Sequence, residues 1–307
     1  MKKISFVITA YNEAENLKEL HEQIGKSIKS FSNYEFEYIF VENGSTDNSL
    51  EVLKDIKNKN KNIKIIKLSR NFGFDGGITA GIDHTSSDAV IIMTANLQDD
   101  PRVIPQFIEY WESGYDMVYG IVKSRPGKSI LRKINSSIFY FIINKLSKNL
   151  IPKNVSDYRL VDKKVIDAVR SLKEYHRFYR GFFSWVGFKS IGVEFKRQKR
   201  FAGKSKALTF KVISSAFKAI FSFTSIPLKF ASYFAFIFSF LAILVLSIQI
   251  YNWFKYGVPF DGFGTIIGVI LLVASMMLFS LGIIGEYLSL IFDESKKRPI
   301  YIVEKEI

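Results

Sequence analysis

Two long uncharged segments near the end of the chain constrain its fold more than any other feature. Phe230–Tyr251 contains no charged residue, and Phe263–Gly285 is a second run of the same kind. An α-helix of about 20 apolar residues is long enough to cross the hydrocarbon core of a bilayer. Buried helices of soluble proteins rarely run this long without a charge. The sequence therefore predicts a transmembrane hairpin of two helices.

Basic residues flank this hairpin and predict its orientation. Five lysines precede the first span, and Lys296, Lys297 and Arg298 follow the second, whereas the connector Asn252–Gly262 contains only Lys255. Basic residues collect on the cytoplasmic side of membrane proteins, so we expect a multi-pass protein of the inner (cytoplasmic) membrane with both termini in the cytoplasm. The net charge of +14 agrees with an anionic lipid, a phosphorylated ligand or nucleic acid as a partner.

The spans divide the chain into segments of different character. We predict a soluble domain over 1–207, an interfacial amphipathic helix over 208–228, the transmembrane hairpin over 229–292 and a cytoplasmic tail over 293–307. In the interfacial segment, Phe and Ile recur at helical spacing with lysines on the other side, as in helices that lie at a membrane surface. Ser129–Leu146 has a similar pattern, which fits either a membrane-surface helix or a core helix.

Short apolar runs alternate with helical spacing in the first part of the soluble domain. The predicted strands are Ile4–Thr9, Phe36–Val41, Ile63–Lys67, Ala89–Met93 and Met117–Tyr119, and the predicted helices are Leu17–Ile28, Ser49–Ile56, Ile78–His84 and Val103–Trp111. This alternation favours a doubly wound, Rossmann-like α/β domain with a mainly parallel sheet. Polar residues follow the first, second and fourth strands. Ligands bind at this carboxyl edge of such sheets, so we expect a nucleotide there.

The densest polar cluster follows the fourth predicted strand. It contains Thr94, Asn96, Gln98, Asp99 and Asp100. Oxygen atoms of this kind are the ligands that hard cations prefer, although an ordinary polar loop has a similar composition. The chain contains no cysteine, which excludes disulfides, zinc–thiolate sites and a cysteine nucleophile.

A series of motifs in order resembles one enzyme family. The motifs are Val-Ile-Thr-Ala-Tyr-Asn-Glu at 7–13, Val-Glu-Asn-Gly-Ser-Thr-Asp-Asn-Ser at 41–49, Ser-Arg-Asn-Phe-Gly at 69–73 and Leu-Gln-Asp-Asp-Pro at 97–101, with further matches at 154–160, 177–181, 200–205, 285–287 and 297–301. Together they resemble the family-2 glycosyltransferases of the GT-A fold, and among these the polyprenyl-phosphate sugar transferases. The resemblance implies inverting transfer of a hexose from a nucleotide diphosphate sugar (UDP-glucose-like) to polyprenyl (undecaprenyl) phosphate.

The resemblance also implies roles for individual residues. The candidates for nucleotide binding are Tyr11, Glu13, Glu42, Arg70, Thr94 and Asn96, and those for phosphate or acceptor binding are Arg125, Arg132, Arg159, Arg200 and Ser205. For Arg70, a contact that holds its loop is an equal alternative. Asp157 is the catalytic candidate, as a general base toward the acceptor. A phosphate monoester needs little deprotonation, since its second pKa is about 6. Asp157 can therefore instead position Arg159 or the sugar, or cap a helix over Leu160–Val169.

The chain departs from the family at the metal motif. An Asp-x-Asp pair is expected at the end of the fourth strand, and Thr94-Ala95-Asn96 stands in its place. The resemblance implies Mg²⁺ or Mn²⁺ that neutralises the leaving diphosphate, here held weakly by Asn96 and Gln98. Three interpretations stay open: a metal bound mostly through the diphosphate, a lysine or arginine in place of the metal, or a protein impaired in transfer.

Two other functions remain as alternatives. A catalytically impaired partner protein that binds lipid or nucleotide agrees with the altered metal motif. A processive polysaccharide synthase agrees less well, because Arg177–Trp185 lacks a Gln-x-x-Arg-Trp motif and two spans are few for a channel. Nucleic acid is not an expected partner, because it would not explain the hairpin. The expected partners are a nucleotide sugar, polyprenyl phosphate, the lipid membrane and, by the resemblance, further copies of the chain in a homo-oligomer.

Overall fold

The computed structural model describes residues 1–124, 152, 154–198, 226–257 and 263–307. Two compact units divide the chain. One contains Met1–Val212 with Arg298–Ile307, and the other contains Ile213–Lys297. The residues from Arg298 onward, predicted only as part of a tail, therefore belong to the unit that contains the N-terminal domain.

Within the described residues, eight strands form one sheet. They are β1 (Lys2–Ala10), β2 (Tyr34–Glu42), β3 (Ile63–Leu68), β4 (Ala89–Thr94), β5 (Met117–Ser124), β6 (Val155–Asp162), β7 (Ser190–Lys196) and β8 (Val303–Glu306), in the spatial order β7-β5-β6-β4-β1-β2-β3-β8. The β1–β2, β1–β4, β2–β3 and β5–β7 pairs are parallel, and the β4–β6, β5–β6 and β3–β8 pairs are antiparallel. The mainly parallel sheet predicted from the sequence is confirmed.

Helices follow most of the strands of this unit. They are α1 (Ala14–Ser27), α2 (Ser49–Lys59), α3 (Gly73–Asp83), α4 (Ile104–Glu112), α5 (Lys163–Ser171) and α6 (Tyr179–Trp185). Ile4–Ala10 of β1 and Ala89–Met93 of β4 are buried at every position, so both faces of these central strands are covered. Each strand and helix predicted in the first 120 residues is present, with ends that differ by a few residues.

The segment around Asp157 differs from its predicted structure. Asp157 lies inside strand β6 and does not cap a helix at Leu160–Val169. The helix begins later, with α5, and its cap is Asp162, whose side chain accepts a hydrogen bond from the Lys164 backbone N–H at 3.0 Å. The helix cap proposed as an alternative role for Asp157 is therefore wrong.

Helix α3 begins at Gly73, earlier than predicted, because its glycines hide the helical pattern. A Cβ atom at Gly81 would lie 2.2 Å from Val7 Cγ1 and 3.2 Å from Val41 Cγ2. Glycine favours a helix less than other residues do, yet only glycine lets this helix approach β1 and β2 so closely. The close approach places the first turn of α3 beside the carboxyl ends of both strands.

The second unit contains two long apolar helices in its described part. They are α7 (Ile226–Tyr256) and α8 (Phe263–Ser295). Tyr233–Tyr256 and Val269–Ser295 are long and apolar enough to cross a membrane, by length and composition. Both carry many exposed Leu, Ile and Phe side chains. The two helices predicted for the hairpin are thus present.

Candidate active site

The strand directions bring the predicted site residues to one edge of the sheet. The carboxyl ends of β1, β2 and β4 lie at the same edge because these strands are parallel. Strand β6 runs the other way, and its Arg159 pairs with Ile92 of β4. Two residues earlier on β6, Asp157 is therefore level with Thr94, at the end of β4. The polar residues after three strands and the catalytic candidate thus share this carboxyl edge.

The loops after β1 and β2 are joined by hydrogen bonds. The Asn12 backbone N–H donates to Ser45 Oγ at 3.0 Å, and the Thr46 N–H donates to Asn12 Oδ1 at 2.7 Å. The Glu13 N–H donates to Ser49 Oγ at 2.9 Å. Asn12 has a φ of 53°, in the left-handed region that asparagine tolerates better than most residues. These contacts fix the backbone beside Tyr11, the half-buried nucleotide candidate.

Two acidic residues that are candidates for nucleotide binding lie beneath these loops. Glu42 is 1% exposed, and its Oε1 accepts a hydrogen bond from the Ser45 backbone N–H. Glu13 is 9% exposed, and its carboxylate accepts from the Asn16 amide. The Glu42 side chain therefore holds loop backbone in place, and the Glu13 side chain holds that of Asn16 in the first turn of α1. Direct contacts of either with a nucleoside stay predictions.

The loop that contains Arg70 is held by the residues after β2. Asn43 Nδ2 donates to the Gly73 carbonyl at 2.7 Å, and the Phe72 N–H donates to Asn43 Oδ1 at 2.9 Å. Gly44 has a φ of +67°, and a Cβ there would lie 2.5 Å from the Arg70 carbonyl carbon. The Arg70 guanidinium itself is exposed and stacks on the Phe72 ring at 4.1 Å. Its charge is accessible at the edge of the site.

The turn after β4 uses its side chains internally. Thr94 Oγ1 lies 2.8 Å from Asp99 Oδ2 and 3.0 Å from Asn96 Oδ1. Asn96 Oδ1 also accepts from the Gln98 backbone N–H at 3.0 Å. Asp99 is 1% exposed and its Oδ1 lies 3.8 Å from Arg197. The amide oxygen of Asn96 is thus committed to the turn, which leaves its N–H₂ group to donate to a ligand.

These donors do not fit a metal ion held by the protein. Thr94, Asn96 and Gln98 are uncharged, whereas Mg²⁺ and Mn²⁺ favour carboxylate oxygens. The Asn96 oxygen already serves as a hydrogen-bond acceptor. Over the ranges that the structure describes, no group of three His, Cys, Asp or Glu side chains could hold a metal. The expectation that Asn96 and Gln98 ligate a metal therefore gains no support from the geometry.

Asp157 is held by an arginine to which the sequence assigned no role. Arg180 Nε donates to Asp157 Oδ1 at 2.7 Å, and its Nη2 donates to Oδ2. Both side chains are partly open to solvent, at 21% for Asp157 and 25% for Arg180. Burial alone would raise the pKa of Asp157, but Arg180, with Arg159 and Arg197, outweighs burial and lowers that pKa. Asp157 is therefore ionised at neutral pH.

Arg159 has a different environment from the one predicted for an acceptor-binding residue. It is 2% exposed, and its Nη2 donates to the Ser156 carbonyl at 2.9 Å. Its guanidinium stacks on the Phe183 ring at 4.6 Å. These contacts favour a role in holding the start of β6 over direct binding of phosphate.

The structure adds three charged residues to the candidates. Arg180 contacts Asp157, and Arg197 contacts Asp99. Asp75, on the first turn of α3, lies near Asp157. Arg180 belongs to a matched motif, which was the one available signal. Four acceptor candidates, Arg125, Arg132, Arg200 and Ser205, lie outside the described residues.

Comparison with known proteins supports a single family. The model of glycosyl transferase family 2 matches residues 5–170. An uncharacterized glycosyltransferase of Synechocystis is 38% identical over 98% of this chain and 94% of that protein. The bactoprenol glucosyl transferase of Shigella phage SfV is 33% identical over 99% of both chains. Glucosyl-3-phosphoglycerate synthase of Mycobacterium tuberculosis, solved with Mn²⁺, UDP-glucose and phosphoglyceric acid, is 14% identical with a TM-score of 0.48 over 72% of this chain and 78% of that one.

The mainly parallel sheet and its carboxyl-edge site define a glycosyltransferase of the GT-A fold. The family match covers more than half of the chain, and the similarity to full-length relatives extends across both units. The chain belongs to glycosyl transferase family 2. The resemblance predicted from the motifs is confirmed.

Proposed function

We propose that this protein transfers a hexose from a nucleotide diphosphate sugar, UDP-glucose in the first instance, to a polyprenyl phosphate such as undecaprenyl phosphate. The observation that carries the proposal is the similarity to bactoprenol glucosyl transferases over 99% of this chain. That similarity includes the two apolar helices as well as the α/β unit. A protein that shared only the nucleotide-binding domain would not match over both units.

The apolar helices support a membrane location for the acceptor step. Helices α7 and α8 would form the hairpin, with both termini and the α/β unit in the cytoplasm. Nucleotide sugars are made in the cytoplasm, and a lipid phosphate is confined to the membrane surface. The enzyme would therefore meet both substrates at the cytoplasmic face of the inner membrane.

The site residues suggest how the protein would prepare the two substrates. The joined loops at Tyr11–Ala14 and Ser45–Ser49 would hold the nucleoside, and the Asn96 N–H₂ group can donate to ribose or phosphate. A donor set that is already in place stabilises charge without reorganisation. Asp157 and Arg180 would bind and orient the acceptor phosphate and the sugar. Inversion at the sugar would follow from in-line attack by the phosphate oxygen.

A transfer assay tests the proposal. Purified protein would be incubated with undecaprenyl phosphate and labelled UDP-glucose, beside a panel of other UDP- and GDP-sugars. Labelled polyprenyl-phosphate sugar is the expected product, and Asp157→Ala should slow its formation. The proposal fails if no donor in the panel yields product.

One observation favours a second function. Thr94 and Asn96 replace the acidic pair that the family motif contains, and the Asn96 side-chain oxygen accepts hydrogen bonds within its own turn. A protein that binds UDP and polyprenyl phosphate without transfer would fit this change. Saturable UDP binding in a preparation that gives no product with any donor would favour this alternative.

A further inference from the structure

The acid–base role predicted for Asp157 does not suit its surroundings. Arg180 occupies both of its carboxylate oxygens. The same arginine, acting against the effect of burial and aided by Arg159 and Arg197, lowers the pKa of Asp157. A general base works best when its pKa lies near the working pH. Asp157 is thus better suited to holding Arg180 than to accepting a proton.

A second carboxyl group lies close to this ion pair. Asp75 lies in the first turn of α3, where it is half-buried, and accepts a hydrogen bond from the backbone N–H of Tyr179, the residue before Arg180. The Tyr179 hydroxyl also lies 2.9 Å from Thr79 Oγ1, one turn further along α3. These two contacts fix the start of α6 against α3. The Tyr179 N–H thus ties the Asp75 carboxyl to the residue that precedes Arg180.

The charged groups around Asp75 come from two other elements. Asp157 on β6 repels a charge on Asp75, whereas Arg180 and the Tyr179 N–H, both on α6, favour it. Burial, and after it Asp157, outweighs those two groups and raises the pKa of Asp75 to about 7. Of the two neighbouring carboxyl groups, Asp75 is therefore the one that exchanges a proton near neutral pH.

We propose that Asp75 is the acid–base partner of the acceptor, sharing one proton with the acceptor phosphate while Asp157 stays ionised on Arg180. This inference rests on the proposed transfer to a lipid phosphate. In the step, a phosphate oxygen forms a bond to carbon 1 of the sugar. The bond from that carbon to the diphosphate breaks, and its electron pair leaves with the nucleotide diphosphate. The shared proton ends on Asp75 and passes to water after the products leave.

Charge balance explains why the reactive complex contains a single proton. A doubly ionised phosphate would be repelled by two ionised carboxylates, and a protonated Asp75 removes one of those charges. A singly ionised phosphate can instead lose its proton to an ionised Asp75 as its oxygen attacks. The two complexes have the same composition. In a complex with no proton, the two carboxylates repel the doubly ionised phosphate. In a complex with two protons, the phosphate oxygen that should attack is itself protonated.

The pH dependence of kcat/KM tests this assignment. For the wild type we expect a bell-shaped plot of kcat/KM against pH. It should rise near pH 6, as the phosphate ionises, and fall near pH 7, as Asp75 loses its proton. Asp75→Asn has an uncharged amide and should keep the rising limb but lose the falling one. Asp75→Glu should keep both limbs. Asp55→Asn, a change to an exposed carboxyl group on α2, should match the wild type. A falling limb near pH 7 that persists in Asp75→Asn overturns the inference.

A binding measurement separates this inference from the proposed function. Calorimetric titration with farnesyl phosphate, a short polyprenyl phosphate, in buffers of different ionisation enthalpy counts the protons taken up. At pH 7 the wild type should take up roughly half a proton per ligand, and Asp75→Asn essentially none. Binding of farnesyl phosphate to the wild type without proton uptake overturns the inference and leaves the proposed function standing. Absence of binding overturns both.

Discussion

Arg180 holds both carboxylate oxygens of Asp157, although the two side chains come from different elements, α6 and β6. Forked pairs between arginine and a carboxylate are stronger and more directional than single contacts. This pair lies at the carboxyl edge of the sheet and is partly open to solvent. Its geometry therefore bears on how the site receives an anionic acceptor.

Replacing Arg180 with glutamine should lower kcat/KM for sugar transfer by about 10–100-fold. The reason is the loss of a charge-assisted interaction of about 1.5–3 kcal/mol, which also removes the largest positive influence on Asp157 beside Asp75. Initial rates at saturating UDP-glucose and varied polyprenyl phosphate measure the change. Lys54→Gln removes an exposed ion pair to Glu51 and should retain wild-type kinetics. Equal rates for both variants would contradict the role given to Arg180.

The close packing of α3 predicts a stability effect at Gly81. Gly81→Ala should lower the free energy of unfolding by about 1–3 kcal/mol, because the new Cβ would overlap Val7 and force α3 away from β1. Gly25→Ala is the matched control, since a Cβ at Gly25 meets nothing within 4 Å. That control should be stabilised by roughly 0.5–1 kcal/mol. In thermal unfolding, the melting temperature should fall for Gly81→Ala and rise for Gly25→Ala. A change in the same direction for both variants would refute the packing argument.

The uncharged side chains Thr94, Asn96 and Gln98 at the end of β4 predict weak metal binding by the protein itself. Asn96→Asp should increase affinity for Mn²⁺ in the presence of UDP by at least about tenfold, because a carboxylate attracts the cation and an amide does not. Electron paramagnetic resonance of free Mn²⁺ measures it, with and without UDP. Asn58→Asp, on the exposed side of α2, should leave affinity unchanged. Tight Mn²⁺ binding by the wild type without UDP would show that the donor set has been misjudged.

The C-terminal strand predicts a further stability effect. Deleting Val303–Ile307 should lower the melting temperature by several degrees, since Ile307 and Ile65 exchange two backbone hydrogen bonds of 2.9 Å that would be lost. The ion pairs Lys67–Glu304 and Lys64–Glu306 are exposed and contribute little. The double variant Glu304→Gln with Glu306→Gln keeps the strand and should melt close to the wild type. If the double variant and the deletion melt alike, the ion pairs matter more than the strand.

The strands that sequence patterns predicted well are the buried ones. Runs such as Ala89–Met93 are apolar at every position, and such a pattern directly predicts a buried strand. Strand β6 was missed because Asp157 and Arg159 interrupt its apolar pattern. Arg159 is buried only because it stacks on Phe183 and donates to backbone carbonyls, contacts that no local pattern reveals. Strand β8 was missed because it is four residues long and three of them are charged.

The site was predictable where it depends on strand ends and not where it depends on distant partners. Glu42 is the last residue of β2, and Tyr11 and Asn96 lie just after β1 and β4, so their shared edge follows from the parallel topology. The raised pKa of Asp75 arises from burial and from Asp157, which lies far along the chain. The sequence also could not show that the Asn96 oxygen is used inside its own turn.

Strand β8 has a consequence for the order in which the protein is made. Its partner β3 leaves the ribosome early, whereas β8 follows both apolar helices in the sequence. Throughout that interval β3 is an open edge, the kind of surface that recruits strands from other chains. The α/β unit can therefore complete its sheet only after both helices have been synthesised. Maturation of the catalytic unit is in this way timed to follow synthesis of the hairpin.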